Sequence, residues 1–112
     1  MADSIFAQRG AATLRRIQEA LDRAVERDDL DCDCELEGAV LRLSFADDSR
    51  IVINLQPAVE EVWVASRRGG YHFRSNAEGR WADTRDGCEL GVRLSEEIAH
   101  HAGVALRLDA LS

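Results

Sequence analysis

The segment SRIVINLQPAVEEVWVASRRGGYHF, residues 49–73, decides which fold this chain can adopt. From Ile51 to Gln56 apolar residues recur at every second position, a period that is typical of a β-strand with one buried face. Pro57 has no N–H to donate to a neighbouring strand, so we expect the first strand to end there. A second β-rich run covers 59–66. The Arg-Arg-Gly-Gly of 67–70 then predicts a tight turn into a third strand, because glycine tolerates a positive φ.

Helical spacing predicts one helix on each side of this block. The first is expected to be capped by Asp3 or Ser4 and to end near Arg27. Its apolar stripe consists of Leu14, Ile17, Leu21, Ala24 and Val25. The second helix is expected roughly over 89–102, with Gly103 following as its C-terminal cap. Its core face consists of Leu90, Leu94 and Ile98.

Further strands complete the pattern. Strict alternation predicts a strand over 31–37, and others are expected over 40–45 and 80–83, with 104–108 extended against the second helix or the sheet. The order of helix, antiparallel strands and helix predicts an α+β fold, a two-layer sandwich with two helices packed on one face of an antiparallel sheet. A length of 112 residues is that of one domain, so residues 1–112 are expected to form a single unit.

Composition and charge exclude several classes of function. The formal net charge is −7 and every basic residue is an arginine, so the chain lacks the basic footprint that nucleic-acid binding needs. No apolar run reaches the roughly 18 residues of a membrane span. The first residues lack the pattern of a secretory signal, so a cytoplasmic protein is expected. Three cysteines, an odd number, argue against a disulfide framework.

The central block also resembles a known family. The polar residues Asn54 and Gln56 stand at set offsets from Trp63 and from a GGYHF motif at 69–73. The segments that carry the pattern are 51–54, Gln56, 62–63 and 69–73. In this combination the chain resembles the frataxins, most closely the bacterial CyaY-type members. The resemblance implies an iron-binding protein of iron–sulfur cluster assembly that contacts a cysteine desulfurase and modulates it. The cluster scaffold is a second candidate partner, and a monomer is expected, with iron-dependent oligomerisation as the alternative.

Acidic side chains cluster at the end of the first helix and along the strand that follows it. On 31–37 the acids alternate with Cys32, Cys34 and Leu36, so the two sets face opposite ways. A run of charge is usually only a solvated face, but the family resemblance associates this region with iron. Carried over position by position, the resemblance implies Glu19, Asp22, Asp31, Asp33 and Glu35 as metal ligands. Glu26 and Asp29, in a connection slightly longer than is usual for the family, are added as candidates, and these seven residues are called the acidic ridge.

The spacing of these carboxylates limits how firmly they can hold a metal. Residues two apart on one strand face are roughly 6.6 Å apart, whereas the oxygens that chelate a hard cation lie within about 2.0–2.6 Å of it. We therefore expect weak, exposed binding of several ions through oxygen ligands. Iron(II) and iron(III) are the expected cations.

Trp63 is expected to lie on the open face of the sheet. If Val62 and Val64 pack inward, Trp63 shares the outer face with Asn54 and Gln56. An exposed tryptophan among polar neighbours is typical of a protein-contact anchor. The opposite orientation, with Trp63 in the core, is the alternative. The predicted partner-binding residues are Asp31, Asp33, Asn54, Gln56 and Trp63.

The cysteines form no catalytic or zinc-binding pattern. Cys32 and Cys34 alternate with acids on a strand, so they are interpreted as buried thiols rather than as zinc ligands. Cys88 lies just before the second helix, where the helix N-terminus is expected to lower its pKa. No nucleophile–base pair, phosphate loop or HExxH motif occurs in the sequence, so neither enzymatic activity nor an organic cofactor is expected.

The histidines are interpreted as structural residues. His72 is expected on the sheet surface, with a role as a secondary iron ligand as the alternative. His100 and His101 lie in the last turn of the second helix, where a cation complements the helix dipole.

Two rival functions stay open on the sequence. One is a metal-independent, acidic protein-interaction module that docks a basic partner surface. The other is an iron-oxidising enzyme, which has less support because no preorganised set of ligands is visible.

Overall fold

The described residues form two helices and six strands, in the order that the sequence predicts. The structure, a computed structural model, describes residues 2–103 and Leu108, with side chains described from Ile5 onward. The elements are α1 (Ala2–Arg27), β1 (Cys32–Glu37), β2 (Val40–Phe45), β3 (Arg50–Gln56), β4 (Glu61–Ser66), β5 (Gly69–Ser75), β6 (Trp81–Asp83) and α2 (Leu90–Ala102).

The strands form one antiparallel sheet in which each strand pairs with the next along the chain, from β1 to β6. Alternate residues on the helix side are buried, among them Ile53 of β3 and Val64 of β4. The other face carries polar and aromatic side chains in register, with Asn54 opposite Trp63 and Trp63 opposite His72. Both helices cover one face of the sheet, so the predicted two-layer α+β sandwich is confirmed.

The apolar stripe of α1 supplies much of the core, with one exception. Its members Leu14, Ile17, Leu21 and Ala24 are at most 2% exposed. Val25 was expected to join them, but it is 38% exposed. It stands about 100° further round the helix than Ala24, which places it on the flank of the stripe, so the prediction for Val25 is wrong.

Two contacts fix α1 over the sheet. Gly10 faces Leu55 of β3 so closely that an added Cβ would stand 2.9 Å from Leu55 Cδ1, so a larger residue here would require the Leu55 side chain to shift. Further along, Trp81 of β6 donates its Nε1–H to Thr13 Oγ1 at 2.8 Å inside the core. The helix also packs against the edge strand β1, and this contact brings the acidic end of the helix to that edge.

The start of α1 differs from the sequence prediction, whereas the end of α2 agrees with it. α1 already includes Ala2, so neither Asp3 nor Ser4 precedes it and the predicted N-cap is wrong. α2 ends as predicted: Gly103 has a φ of 71° and its N–H donates to Ala99 O at 2.8 Å. A positive φ costs glycine little, and this explains the residue type at that cap.

The turns before and after β4 begin or end at other residues than the sequence predicts. β4 begins at Glu61, two residues later than expected, because Glu60 ends a turn with a φ of 53°. The turn into β5 consists only of 67–68, since Gly69 already pairs with Ser66. Gly69 has a φ of 152°, which favours glycine, so the glycines serve the start of β5 rather than the turn itself.

The chain after α2 is described only in part. Residues 104–107, which are predicted to be extended, lie outside the described residues. Leu108 is buried in the core, and its N–H donates to Ser95 Oγ of α2 at 2.9 Å. In the described part of the chain no helix is long and apolar enough to cross a membrane.

Candidate functional site

The residues of the acidic ridge are all exposed. Glu35 approaches Arg42 of β2 at 3.7 Å, a long contact between two side chains that remain partly exposed. None of the other ridge carboxylates has a basic group within 4.0 Å among the described residues. These unpaired carboxylates are Glu19, Asp22, Glu26, Asp29, Asp31 and Asp33. Among the described residues, no ion pair therefore neutralises their negative charge.

A short, anchored connection places the strand part of the ridge beside the helix part. The N–H groups of Asp28 and Leu30 both donate to Ala24 O, at 2.8 and 3.4 Å, and the Leu30 side chain is buried. Asp29 has a φ of 53°, a left-handed conformation that aspartate adopts more readily than most residues. Only residues 28–30 therefore separate the end of α1 from Asp31.

The ridge carboxylates belong to the two layers of the sandwich and do not converge. Cys32 and Cys34 of β1 point towards α1, so Asp33 and Glu35 point to the open face of the sheet. The helix carboxylates belong to the other layer, and the two groups meet along the β1 edge. No cluster of three or more possible metal ligands occurs among the described residues. This arrangement suits loosely held hydrated cations better than a chelated ion.

On the open face, Trp63 lies where the strand alternation predicts. Val62 and Val64 are buried, so Trp63 points away from the helices and is half-buried among neighbouring side chains. Asn54 lies directly opposite it on β3 and accepts a hydrogen bond from Gln56 Nε2 at 2.6 Å. The structure therefore brings the three predicted open-face residues together on β3 and β4.

A buried carboxylate holds Trp63 in place. Glu61 accepts the indole N–H of Trp63 at 2.8 Å and a hydrogen bond from Arg74 Nη2 at 2.6 Å. The Trp63 ring also stacks on His72 of β5, with 4.2 Å between centroids and 6° between planes. His72 Nδ1 lies 3.7 Å from Glu61. The tryptophan is therefore held in one orientation before any partner arrives, which lowers the entropy cost of docking.

Glu97 is a second buried carboxylate that the sequence interpretation missed. It is fully buried on α2 and accepts hydrogen bonds from Ser66 Oγ at 2.6 Å and Arg68 Nε at 3.1 Å. Burial opposes its ionisation, but these hydrogen bonds outweigh burial and lower the pKa of Glu97. The signal was present in the sequence, because Glu97 falls within the apolar stripe between Leu94 and Ile98.

His101 joins three segments of the fold. Its ring stacks on Phe45, its Nε2 accepts the backbone N–H of Arg67 at 3.1 Å, and its Nδ1 lies 2.7 Å from Ser49 Oγ. Because Nε2 accepts, Nδ1 carries the proton and donates to Ser49, whose hydroxyl donates to Asp47. The imidazole cannot activate this serine as a base, so the Asp–Ser–His arrangement is structural.

Two predictions about ionisation are wrong. Burial lowers the pKa of His101, so it is a neutral hydrogen-bonding residue rather than a cation at the end of the α2 dipole. Burial also raises the pKa of Cys88, and this outweighs the opposite effect of Arg93. Cys88 is therefore not activated by the nearby helix N-terminus.

Comparisons with known proteins agree on one family. The model of a frataxin-like domain matches residues 1–104. The iron–sulfur cluster assembly protein CyaY of Paraburkholderia xenovorans is 43% identical, covering 98% of this chain and 100% of the relative. The protein of the same name from Ralstonia nicotianae is also 43% identical, covering 98% of this chain and 96% of the relative.

Solved structures show the same likeness. Frataxin from Psychromonas ingrahamii has 29% identity and a TM-score of 0.85, covering 98% of this chain and 100% of that one. Trimeric frataxin from the yeast Saccharomyces cerevisiae, complexed with ferrous iron, has 28% identity and a TM-score of 0.73. That match covers 86% of this chain and 87% of the yeast chain.

Proposed function

This chain belongs to the frataxin-like family, and from that premise we propose that it serves iron–sulfur cluster assembly in the cytoplasm. It binds iron weakly on the acidic ridge, docks on a cysteine desulfurase and modulates it, without enzymatic activity of its own. Relatives that match nearly the whole chain are named as iron–sulfur cluster assembly proteins, and a solved relative is complexed with ferrous iron. Iron is the cargo of the protein in this proposal.

The observation that carries the proposal is the ridge of exposed carboxylates, of which only Glu35 has an ion pair, the 3.7 Å contact with Arg42, among the described residues. Oxygen ligands suit iron(II) and iron(III), and a ridge with an uncompensated charge concentrates cations near its surface. Because the carboxylates do not converge among the described residues, the bound iron keeps water ligands and exchanges quickly. Such binding suits a protein that passes iron on rather than retaining it.

The test for iron is an anaerobic titration with iron(II), followed by NMR. Paramagnetic broadening should centre on the amides of Glu19, Asp22, Asp31 and Asp33, with weak affinity. The double variant Asp31→Asn/Asp33→Asn should lose the broadening on β1. Glu96→Gln is the matched control, since Glu96 is an exposed carboxylate on α2 outside the ridge. Broadening centred on His100 and His101, or none at all, would contradict the iron-ridge proposal.

We assign partner docking to Asp31, Asp33, Asn54, Gln56 and Trp63. The two aspartates lie at the β1 edge, and the other three lie on the open face of β3 and β4. Exposed acids steer a basic partner surface and act mainly on the association rate. A preoriented tryptophan supplies apolar contact, which acts mainly on dissociation.

Charge reversal tests the steering part of this assignment. Asp31→Lys/Asp33→Lys should slow association with the desulfurase and flatten its dependence on salt, as measured by stopped-flow or surface plasmon resonance. Glu96→Lys is the control for net charge and should leave both quantities unchanged. An equal effect of Glu96→Lys would show that only the total charge matters.

A metal-independent docking module is the second candidate, and the lack of convergence of the ridge carboxylates favours it. The two functions differ in their response to a chelator. If iron has a role, removing it should change how the protein affects desulfurase turnover while docking persists. If the effect on turnover is the same with and without a chelator, the ridge acts only as a docking surface. The cluster scaffold is the further partner to include in this assay, and iron-dependent oligomerisation is checked by sedimentation.

A further inference from the structure

An open cavity lies in a part of the molecule that the proposed function does not use. It is formed by the first turns of α1, the turn before β4, the end of β5 and the start of β6, and its volume is about 370 Å³. Ligand pockets in proteins have volumes of about 300–1,000 Å³. The cavity is therefore of a size that suits a small molecule.

Apolar side chains form one wall of this cavity. Phe6 and Trp81 are buried and meet edge to face, with 5.9 Å between the ring centroids. Ile5 lines the same cavity but is 67% exposed, more than any other large apolar side chain among the described residues. Covering such a side chain with an apolar group removes its surface from water and is favourable. The cavity therefore favours a ligand that carries an apolar group.

Arg9 supplies a cation in a fixed position. Its guanidinium stacks over the Trp81 ring, 4.4 Å from the ring centroid, and donates hydrogen bonds to Ser75 Oγ and Gly79 O. These contacts use two of the five N–H donors of a guanidinium, so three remain for a ligand. No acidic group lies within 4.0 Å of Arg9 among the described residues. The arginine can therefore bind a carboxylate inside the cavity.

Glu60 supplies the opposite charge. It ends the turn before β4, and no basic group lies within 4.0 Å of its carboxylate among the described residues. Arg74 also lines the cavity, but its charge is compensated by the 2.6 Å ion pair with Glu61. The unpaired charges of the described lining are thus one positive, on Arg9, and one negative, on Glu60. A ligand that matches both carries one carboxylate, one ammonium group and no net charge.

We propose that this cavity binds a free α-amino acid with an apolar side chain, in its zwitterionic form. Arg9 binds the α-carboxylate, Glu60 accepts hydrogen bonds from the α-ammonium group, and Ile5 and Phe6 contact the side chain. Only a free amino acid carries both charged groups on one carbon atom, so a residue inside a peptide does not fit.

This site is separate from the acidic ridge. The cavity lies at the first turns of α1 and beside β5 and β6, whereas the ridge lies on the second half of α1 and on β1, the opposite edge of the sheet. The proposal therefore goes beyond the proposed function and does not depend on it.

The test is an NMR titration of the isotope-labelled protein with L-phenylalanine. The indole N–H of Trp81 and the amides of residues 5–9 should shift and saturate, while the amides of residues 31–35 should not shift. L-phenylalaninamide lacks the carboxylate and N-acetyl-L-phenylalanine lacks the ammonium group, so each should bind about tenfold more weakly. No saturable shift at Trp81, or equally strong binding of either derivative, would overturn the proposal.

Matched variants connect each charge with one group of the ligand. Glu60→Gln should weaken binding of L-phenylalanine about tenfold and leave binding of N-acetyl-L-phenylalanine unchanged, because that derivative has no ammonium group. Arg9→Gln should likewise weaken binding of L-phenylalanine and leave that of L-phenylalaninamide unchanged. The controls are Glu96→Gln and Arg15→Gln, at exposed positions outside the cavity, and both should bind as the parent does.

The Glu60 variant keeps the test decisive if Arg9→Gln fails to fold, which circular dichroism checks, because Glu60 makes no contact within 4.0 Å to a basic group of the described fold. If Glu60→Gln weakens the binding of L-phenylalanine and of its N-acetyl derivative equally, Glu60 does not bind the ammonium group and the zwitterion site is excluded.

Discussion

Glu97 and Asp33 are both carboxylates on regular secondary structure, yet their surroundings are opposite. Glu97 is fully buried on α2, where Ser66 and Arg68 donate hydrogen bonds to it. Asp33 is exposed on β1, and no basic group lies within 4.0 Å of it among the described residues. Other carboxylates show the same contrast. Glu61 on β4 is also buried and paired with Arg74, whereas the other residues of the acidic ridge are exposed.

The contrast separates carboxylates that hold the fold from those that remain available for binding. A buried carboxylate is stable only when hydrogen-bond donors compensate its desolvation. Glu61 and Glu97 are accordingly paired with the arginines Arg74 and Arg68. Apart from the long contact between Glu35 and Arg42, the ridge carboxylates have no ion pair among the described residues, so their charge remains available to cations or a basic partner. Net charge alone cannot make this distinction, because a paired and an unpaired carboxylate each contribute one negative charge to it.

The largest expected effect comes from removing a buried, paired carboxylate. Glu97→Ala should lower the free energy of unfolding by about 2–3 kcal/mol, because it leaves Ser66 and Arg68 without their partner and creates a cavity. Chemical denaturation monitored by circular dichroism measures this. The matched control is Glu96→Ala, which removes an exposed carboxylate next to it and should change stability by no more than about 0.5 kcal/mol. Equal effects of the two variants would remove the distinction between paired and free carboxylates.

The second prediction concerns the side chain that Glu61 orients. Trp63→Ala should weaken desulfurase binding by about 2 kcal/mol, roughly 30-fold in Kd, mainly through faster dissociation at every salt concentration. The ridge variants should instead change the association rate. Rate measurements therefore distinguish the contribution of the acidic ridge from that of Trp63. Binding is measured by surface plasmon resonance and folding by circular dichroism. A Trp63→Ala protein that binds with the parent's dissociation rate would exclude Trp63 from the docking surface.

The third prediction uses pH to probe a buried group near Glu97. Burial holds the pKa of His101 below the ordinary value of about 6.5. The unfolded chain therefore takes up a proton first as pH falls, and stability decreases from about pH 6.5 down to the lower folded pKa. One such proton lowers the free energy of unfolding by at most about 1.4 kcal/mol per pH unit. Protonation would also place a hydrogen on Nε2, which now accepts the Arg67 N–H.

Substitution isolates this contribution from that of the carboxylates. His101→Gln should flatten the dependence of stability on pH just below about 6.5. The neighbouring exposed residue gives the matched variant, His100→Gln, which should keep the parental slope. Denaturant titrations at several pH values measure both. If His100→Gln flattens the slope and His101→Gln does not, the buried imidazole is not the titrating group.

The smallest effect is expected on the ridge itself. Asp31→Asn/Asp33→Asn should raise the free energy of unfolding by about 0.5 kcal/mol at low salt, because it relieves repulsion between exposed like charges. The gain should shrink as salt screens these charges over about 10 Å at 0.1 M. Glu61→Gln should act in the opposite direction, since it weakens contacts to Trp63 and Arg74. A ridge variant that melts lower at low salt would show that these aspartates are structural.

Much of the fold could be predicted because its signals are local. Strand alternation put Ile51 and Ile53 on one face of β3, and helical spacing identified Leu14 and Leu21 as core residues. Alternation left two orientations open for Trp63, and the family resemblance favoured the open face. Errors occurred where local patterns are ambiguous: the α1 start, the exposed flank of its stripe and the limits of the β4–β5 turn. The ridge residues could be named from the sequence, but whether they were paired could not.

Local sequence patterns specify the set of helices and strands, the alternation of the two faces of each strand and the position of the acidic run. These depend on neighbours two to four residues apart, whose side-chain directions follow from helix and strand geometry. Which of the charged side chains are paired depends instead on contacts formed in the folded chain. Arg68 reaches Glu97 and Ser49 reaches His101 across separations of 29 and 52 residues. Desolvation and pairing depend on such distant contacts, and no local pattern encodes them.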